Sequence, residues 1–106
     1  MLVVGRRLLQ DFGKRYPDAA QPLKDWYTIV SALTIKTPMQ WRNHIPKVSI
    51  IGAGCTVFNI KGNYYRLSAT VDYQRQIIRV WRVMTHEEYD AVSQEDRLCS
   101  DLRNRN

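Results

Sequence analysis

The sequence predicts an α+β domain: two helices, then an antiparallel sheet of about four strands, then a short helix. Three observations predict it. The first third carries apolar residues at helical spacing. Beyond residue 47 the period changes to two, in short runs broken by Gly and Asn. The last of these runs meets Thr85-His86-Glu87-Glu88, a capping box that opens a helix.

The elements follow in order. Residues 2–4 are too few to assign. From Arg6 to Tyr16, Leu8, Leu9 and Phe12 sit at helical spacing, and Pro17 stops this first helix. Asp18 is placed to cap the second helix, with Gln21 as its capping-box partner. Pro22 is tolerated because it falls in or near the first turn. Leu23, Trp26, Tyr27, Val30 and Leu33 then form one apolar stripe, whose ordinary role is core packing between helices. Lys36-Thr37-Pro38 ends that helix. Residues 36–47, punctuated by Pro38 and Pro46, read as an ordered crossing loop carrying Trp41, Arg42, Asn43 and His44.

Strands are expected over residues 48–51, 55–60, 64–73 and 77–83. Gly52 and Gly54 close the first, Lys61-Gly62-Asn63 is a tight hairpin connection, and residues 74–76 are a further turn. Connections this short make neighbours antiparallel. The last helix runs from Thr85 to about Val92, and the polar tail from Asp101 is expected to fray. The helices should cover one sheet face and leave the other partly open.

Alternation sorts the third strand cleanly. Tyr65, Leu67, Ala69, Val71 and Tyr73 share the core face, so Tyr64, Arg66, Ser68, Thr70 and Asp72 share the open one. In the fourth strand Ile78, Val80, Arg82 and Met84 form the more apolar set. That places Arg79 and Trp81 on the open face and Arg82 near an edge, unless a bulge swaps the roles.

The chain has 106 residues, enough for one domain spanning 1–106 with a single modest core. Lys and Arg number 16 against 10 Asp and Glu, giving a net charge of +6 that favours polyanionic partners. Cys55 and Cys99 are the only cysteines; they form no CxxC pair and read as separate thiols of a reducing compartment. No signal-peptide pattern opens the chain, and no apolar run approaches the roughly 18 residues of a membrane helix. A cytoplasmic protein is expected.

Two arginine-bearing strands lead to a helix that opens on His86. A helix start offers backbone N–H groups to an anion, and histidine there can exchange a proton near neutral pH. Arg66, with Arg79 or Arg82, can fork onto phosphate oxygens, and Lys61 adds charge at the hairpin. Such groups can cleave RNA without a metal or other cofactor. A base takes the 2′-OH proton, cations stabilise the phosphorane, and an acid protonates the leaving 5′-oxygen. No Asp, Glu and His cluster has metal-ligand spacing. Equally, a histidine at a helix start can be a plain surface residue, strand arginines can be merely solvated, and Glu87 and Glu88 suit the cap.

The run Val57-Phe58-Asn59-Ile60-Lys61-Gly62-Asn63-Tyr64-Tyr65-Arg66-Leu67 and the segment Met84-Thr85-His86-Glu87-Glu88-Tyr89-Asp90 together resemble the HigB toxins of type II toxin–antitoxin systems. Tyr16-Pro17-Asp18 and Trp26-Tyr27 add support, and the likeness spans roughly residues 6–92. The resemblance implies a RelE-like fold and ribosome-dependent cleavage of mRNA that inhibits translation. It implies a HigA-type antitoxin, and operator DNA contacted only through the antitoxin complex. By position it implies Lys61, Arg66 and His86 as the basic and histidine positions, with Asn63, Tyr65 and Tyr89 as polar or aromatic motif positions. The family pattern has a basic residue five positions before the histidine. Here that position is Trp81, with Arg79 and Arg82 nearby, and Trp81 can instead stack on a base. Catalysis is thus expected from Arg66, His86, Lys61, Arg82 and Arg79, and RNA contacts from Asn63, Trp81 and Tyr89. The rival expectation is a degenerate module that binds antitoxin or RNA without cutting.

Overall fold

The computed structural model describes residues 1–52, 54–92 and 98–99. The expected tail from Asp101 lies outside the described residues. The chain runs β1 (Leu2–Val4), α1 (Arg6–Arg15), α2 (Pro17–Ala32), a 3-10 turn (Pro38–Asn43), β2 (Val48–Gly52), β3 (Cys55–Ile60), β4 (Tyr65–Asp72), β5 (Ile77–Thr85) and α3 (His86–Ala91).

The sheet has five strands, not four, in the order β1-β5-β4-β3-β2. The added strand is β1, three residues that pair parallel to β5 at the sheet edge. The other pairs are antiparallel, as the short turns require. Gly5 carries the chain from β1 into α1 at φ 100°, where a Cβ would lie 3.0 Å from the Val80 carbonyl oxygen. Only glycine fits that approach.

α2 begins at Pro17, whose missing N–H costs nothing in a first turn. Asp18 is therefore inside the helix rather than its cap, and no side chain caps this helix. Its carboxylate turns outward to Lys61 and Tyr65 instead of to Gln21. Pro22 lies inside the helix, beyond its first turn.

One face of the sheet packs on the helices. Leu23, Trp26 and Val30 of α2 bury against Phe58, Leu67 and Ile78. Trp41, fully buried from the 3-10 turn, meets the Phe58 ring edge-on at 5.0 Å and donates its indole N–H to Tyr73 Oη. Burying such a side chain contributes about 2–3 kcal/mol, so the crossing loop is part of the core.

The opposite face carries a second apolar cluster, Cys55, Val57, Met84 and Leu98. Here the cysteines depart from expectation: Cys55 and Cys99 are bonded to each other across 44 residues. Nothing local in the sequence announces the pair, because the C-terminal segment must first return to the sheet.

A β-bulge decides which side chains share this face. Ser68 pairs with Arg82 and Ala69 with Val80, leaving Trp81 as the extra residue of β5. Arg79 stands opposite Thr70, Arg82 opposite Ser68, and Met84 opposite Arg66. All of them therefore lie on the Arg66 side. Strict alternation had grouped Arg82 and Met84 with Ile78 and Val80; the extra residue shifts the phase.

Candidate nucleic-acid interface

At one end of this face, Arg66 is held rather than free. Its guanidinium donates to the carbonyls of Asn63 and Tyr65 at 3.1 and 3.2 Å, and to Asn63 Oδ1 at 2.6 Å. It lies 5.3 Å from the centre of the Tyr89 ring, and the residue is only 8% exposed. The β3–β4 hairpin and α3 thus fix one arginine between them. Asn63 and Tyr89, expected as RNA contacts, hold that arginine in place.

His86 is the first residue of α3. Its backbone N–H is taken by the Tyr64 carbonyl at 3.0 Å, which fastens the helix start to the hairpin. The Thr85 hydroxyl accepts from the Glu88 N–H, and the Glu88 carboxylate accepts from the Thr85 N–H, completing the expected capping box. Two amides of the first turn are therefore occupied. The helix start thus offers fewer backbone N–H groups to an anion than the sequence suggests. His86 Nδ1 lies 3.1 Å from Asp90 Oδ2, a contact that orients the ring.

Lys61 is drawn elsewhere. Its ammonium pairs with Asp18 Oδ2 at 2.8 Å and lies 5.0 Å over the Tyr64 ring. Tyr65, on the helix side, donates its hydroxyl to Asp18 Oδ1 at 2.6 Å. The hydrogen bonds from Lys61 and Tyr65 hold the Asp18 carboxyl below the ordinary carboxylate range. The same bond, with desolvation, pushes the Tyr65 hydroxyl up to about 12. This triad ties the hairpin to α2.

At the other end of the face, Arg79 stacks 4.4 Å over the Trp81 ring. Trp81 donates its indole N–H to Thr70 Oγ1 at 3.0 Å. Half-buried Arg82 lies between, opposite Ser68. The face thus brings together Arg66, Arg79, Trp81 and Arg82, with His86 and Tyr89 at its rim, and it leaves Lys61 on the helix side. Tyr64 was not singled out from the sequence. It is 66% exposed and its carbonyl meets the His86 N–H; its place beside the Lys61-Gly62-Asn63 hairpin was the available signal.

Among the described residues no group of three or more His, Cys, Asp or Glu could hold a metal ion. No helix among them is long and apolar enough to cross a membrane. A cavity of about 280 Å³ between α1 and α2, lined by Arg6, Leu9, Lys14, Leu23 and Tyr27, belongs to the helical layer and takes in none of the candidate residues.

Two helices on one side of a mixed sheet, a short closing helix, and cations gathered on the side away from the two helices define a small RelE-like α+β protein. The family model of the HigB toxins, the RelE-like toxic component of a toxin–antitoxin system, matches residues 19–92, which include every candidate residue. The chain belongs to the HigB toxin family, and an antitoxin partner follows from that membership. No curated protein matches it at a significant level.

Proposed function

We propose that this chain is a metal-independent endoribonuclease that cuts mRNA on the ribosome, in the cytoplasm, and so stops translation. The observation that supports this best is the one-sided gathering of Arg66, Arg79 and Arg82 on the sheet face that ends at His86. Its partner is a HigA-type antitoxin, through which alone it reaches operator DNA.

The chemistry is proton transfer under charge stabilisation. His86, oriented by Asp90, exchanges a proton with the reacting oxygens through Nε2. Arg82 or Arg79 meets the non-bridging oxygens of the phosphorane, with Arg66 fixing the hairpin beside it. Lys61 contributes by charge at a distance and through the Asp18 link. The 2′-oxygen attacks phosphorus and the 5′-oxygen leaves with a proton, so the products are a 2′,3′-cyclic phosphate and a 5′-hydroxyl. End-group analysis of cut transcripts tests this. A 5′-phosphate product would contradict it.

A second reading, a binding module without cleavage, draws on two observations: Arg66 is committed to Asn63, Tyr65 and Tyr89, and Trp81 stands where the resemblance implied a basic residue. Induced expression separates the two, since a bare binder leaves growth and transcripts intact.

A further inference from the structure

Leu98 and Cys99 lie on the arginine face itself. Leu98 is fully buried and packs in one cluster with Val57 and Met84. Its carbonyl accepts the hydroxyl of Ser68, the residue opposite Arg82. Cys99 Sγ sits 3.4 Å from the Ala69 carbonyl and is bonded to Cys55 of β3. Val57, Ser68 and Arg82 form the row between the Arg66 and Met84 end of the face and the Arg79 and Trp81 end. A polynucleotide laid over that middle row meets Leu98 where it sits on Ser68 and Val57.

We propose that the Cys55–Cys99 pair is a redox-modifiable site, and that its disulfide latches Leu98 and Cys99 over the arginine face. That this face receives RNA rests on the proposed function; the latch itself does not. Reduction by a dithiol opens it. A thiolate of the reductant attacks the Cys99 sulfur, which is the more exposed of the two, since Cys55 is 2% exposed. The Cys55 sulfur leaves with the bond pair and takes a proton. The second thiol of the reductant then attacks the mixed disulfide, releases the Cys99 thiolate to be protonated, and closes the reductant's own disulfide. Two electrons and two protons pass to the protein. Among the described residues, the contacts that remain are the buried Leu98 side chain and the Ser68 bond to its carbonyl.

The test uses the full chain in oxidised and dithiothreitol-reduced forms, with Cys99→Ser as a constitutively open variant and Cys55→Ser as a second. Intact mass fixes the redox state, and circular dichroism checks the fold of each form. Hydroxyl-radical footprinting reads the exposure of Met84, which is 4% exposed under Leu98. Affinity for a fluorescein-labelled single-stranded RNA is read at fixed salt. Reduction and both substitutions are expected to raise Met84 labelling, and RNA affinity on the order of tenfold, as the competent fraction rises. Equal Met84 labelling in oxidised and reduced forms overturns the latch. Increased labelling with unchanged RNA affinity upholds the latch and counts against RNA as the ligand of this face.

Discussion

Trp81 donates its indole N–H to the Thr70 hydroxyl at 3.0 Å, and this bond seats the one extra residue of β5 on the arginine face. The bulge has a chemical consequence. It sets Arg79 and Arg82, three positions apart, on the same side of the sheet, where a regular strand would send them to opposite sides. Trp81, the position where the resemblance implied a basic residue, thus lies between two arginines that the backbone turns toward the same space.

Trp81→Ala removes that bond, the Arg79 stacking partner and an aromatic surface for a base. RNA affinity is expected to fall by about 1–3 kcal/mol, the usual worth of one stacked base. Titration of labelled single-stranded RNA checks it. Unchanged affinity would remove Trp81 from the interface.

Arg66→Ala and His86→Ala should separate stability from chemistry. Arg66 is buried and makes charge-assisted bonds to the hairpin, so its loss is expected to cost about 2–3 kcal/mol in denaturant unfolding as well as activity. His86, at the rim of the face, should lower activity with unfolding almost unchanged. A His86→Ala protein that unfolds as easily as Arg66→Ala would make the histidine structural.

Thr85→Ala removes the hydroxyl half of the capping box and leaves the backbone N–H at position 85 on the Glu88 carboxylate. A loss of about 1 kcal/mol is expected, since capping residues are worth that much. Because α3 carries His86 and Tyr89, activity should fall with the fraying. Chemical denaturation and transcript cleavage, measured together, check the link.

The Asp18–Tyr65 bond gives stability a pH signature at both ends. The Tyr65 hydroxyl is raised from 10.0 to about 12, so its contribution is present below pH 10 and lost as pH climbs toward 12. The Asp18 carboxyl is lowered, so its contribution is present above the ordinary value of 3.8 and lost as pH falls through the depressed value. Tyr65→Phe should flatten the alkaline limb of the stability profile between pH 10 and 12. An unchanged alkaline limb in the variant would place the bond outside the folded state in solution.

Much of this architecture is legible in the residues, because local rules act locally. The alternation of β4 names Arg66 and Ser68 as neighbours on the open face, and Thr85 and Glu88 mark the start of α3. What was not legible depends on distant chain. β1 is three residues long and pairs with a strand more than seventy positions away, so no period reveals it. The bulge at Trp81 depends on how β5 meets β4, and alternation inside β5 cannot report it. Asp18 looked like a cap because its partners Lys61 and Tyr65 lie on another element. Cys99 finds Cys55 only after the C-terminal segment folds back, and a count of cysteines carries no such information.

The proposed activity, mRNA cleavage during translation at the face that ends at His86, has a direct test. Purified protein would be added to a translating extract beside His86→Ala, and mRNA 5′ ends mapped by primer extension. New ends inside translated codons, absent with the variant and absent when translation is blocked, are the expected result. An intact transcript with folded wild-type protein, or the same cuts with His86→Ala, would contradict it.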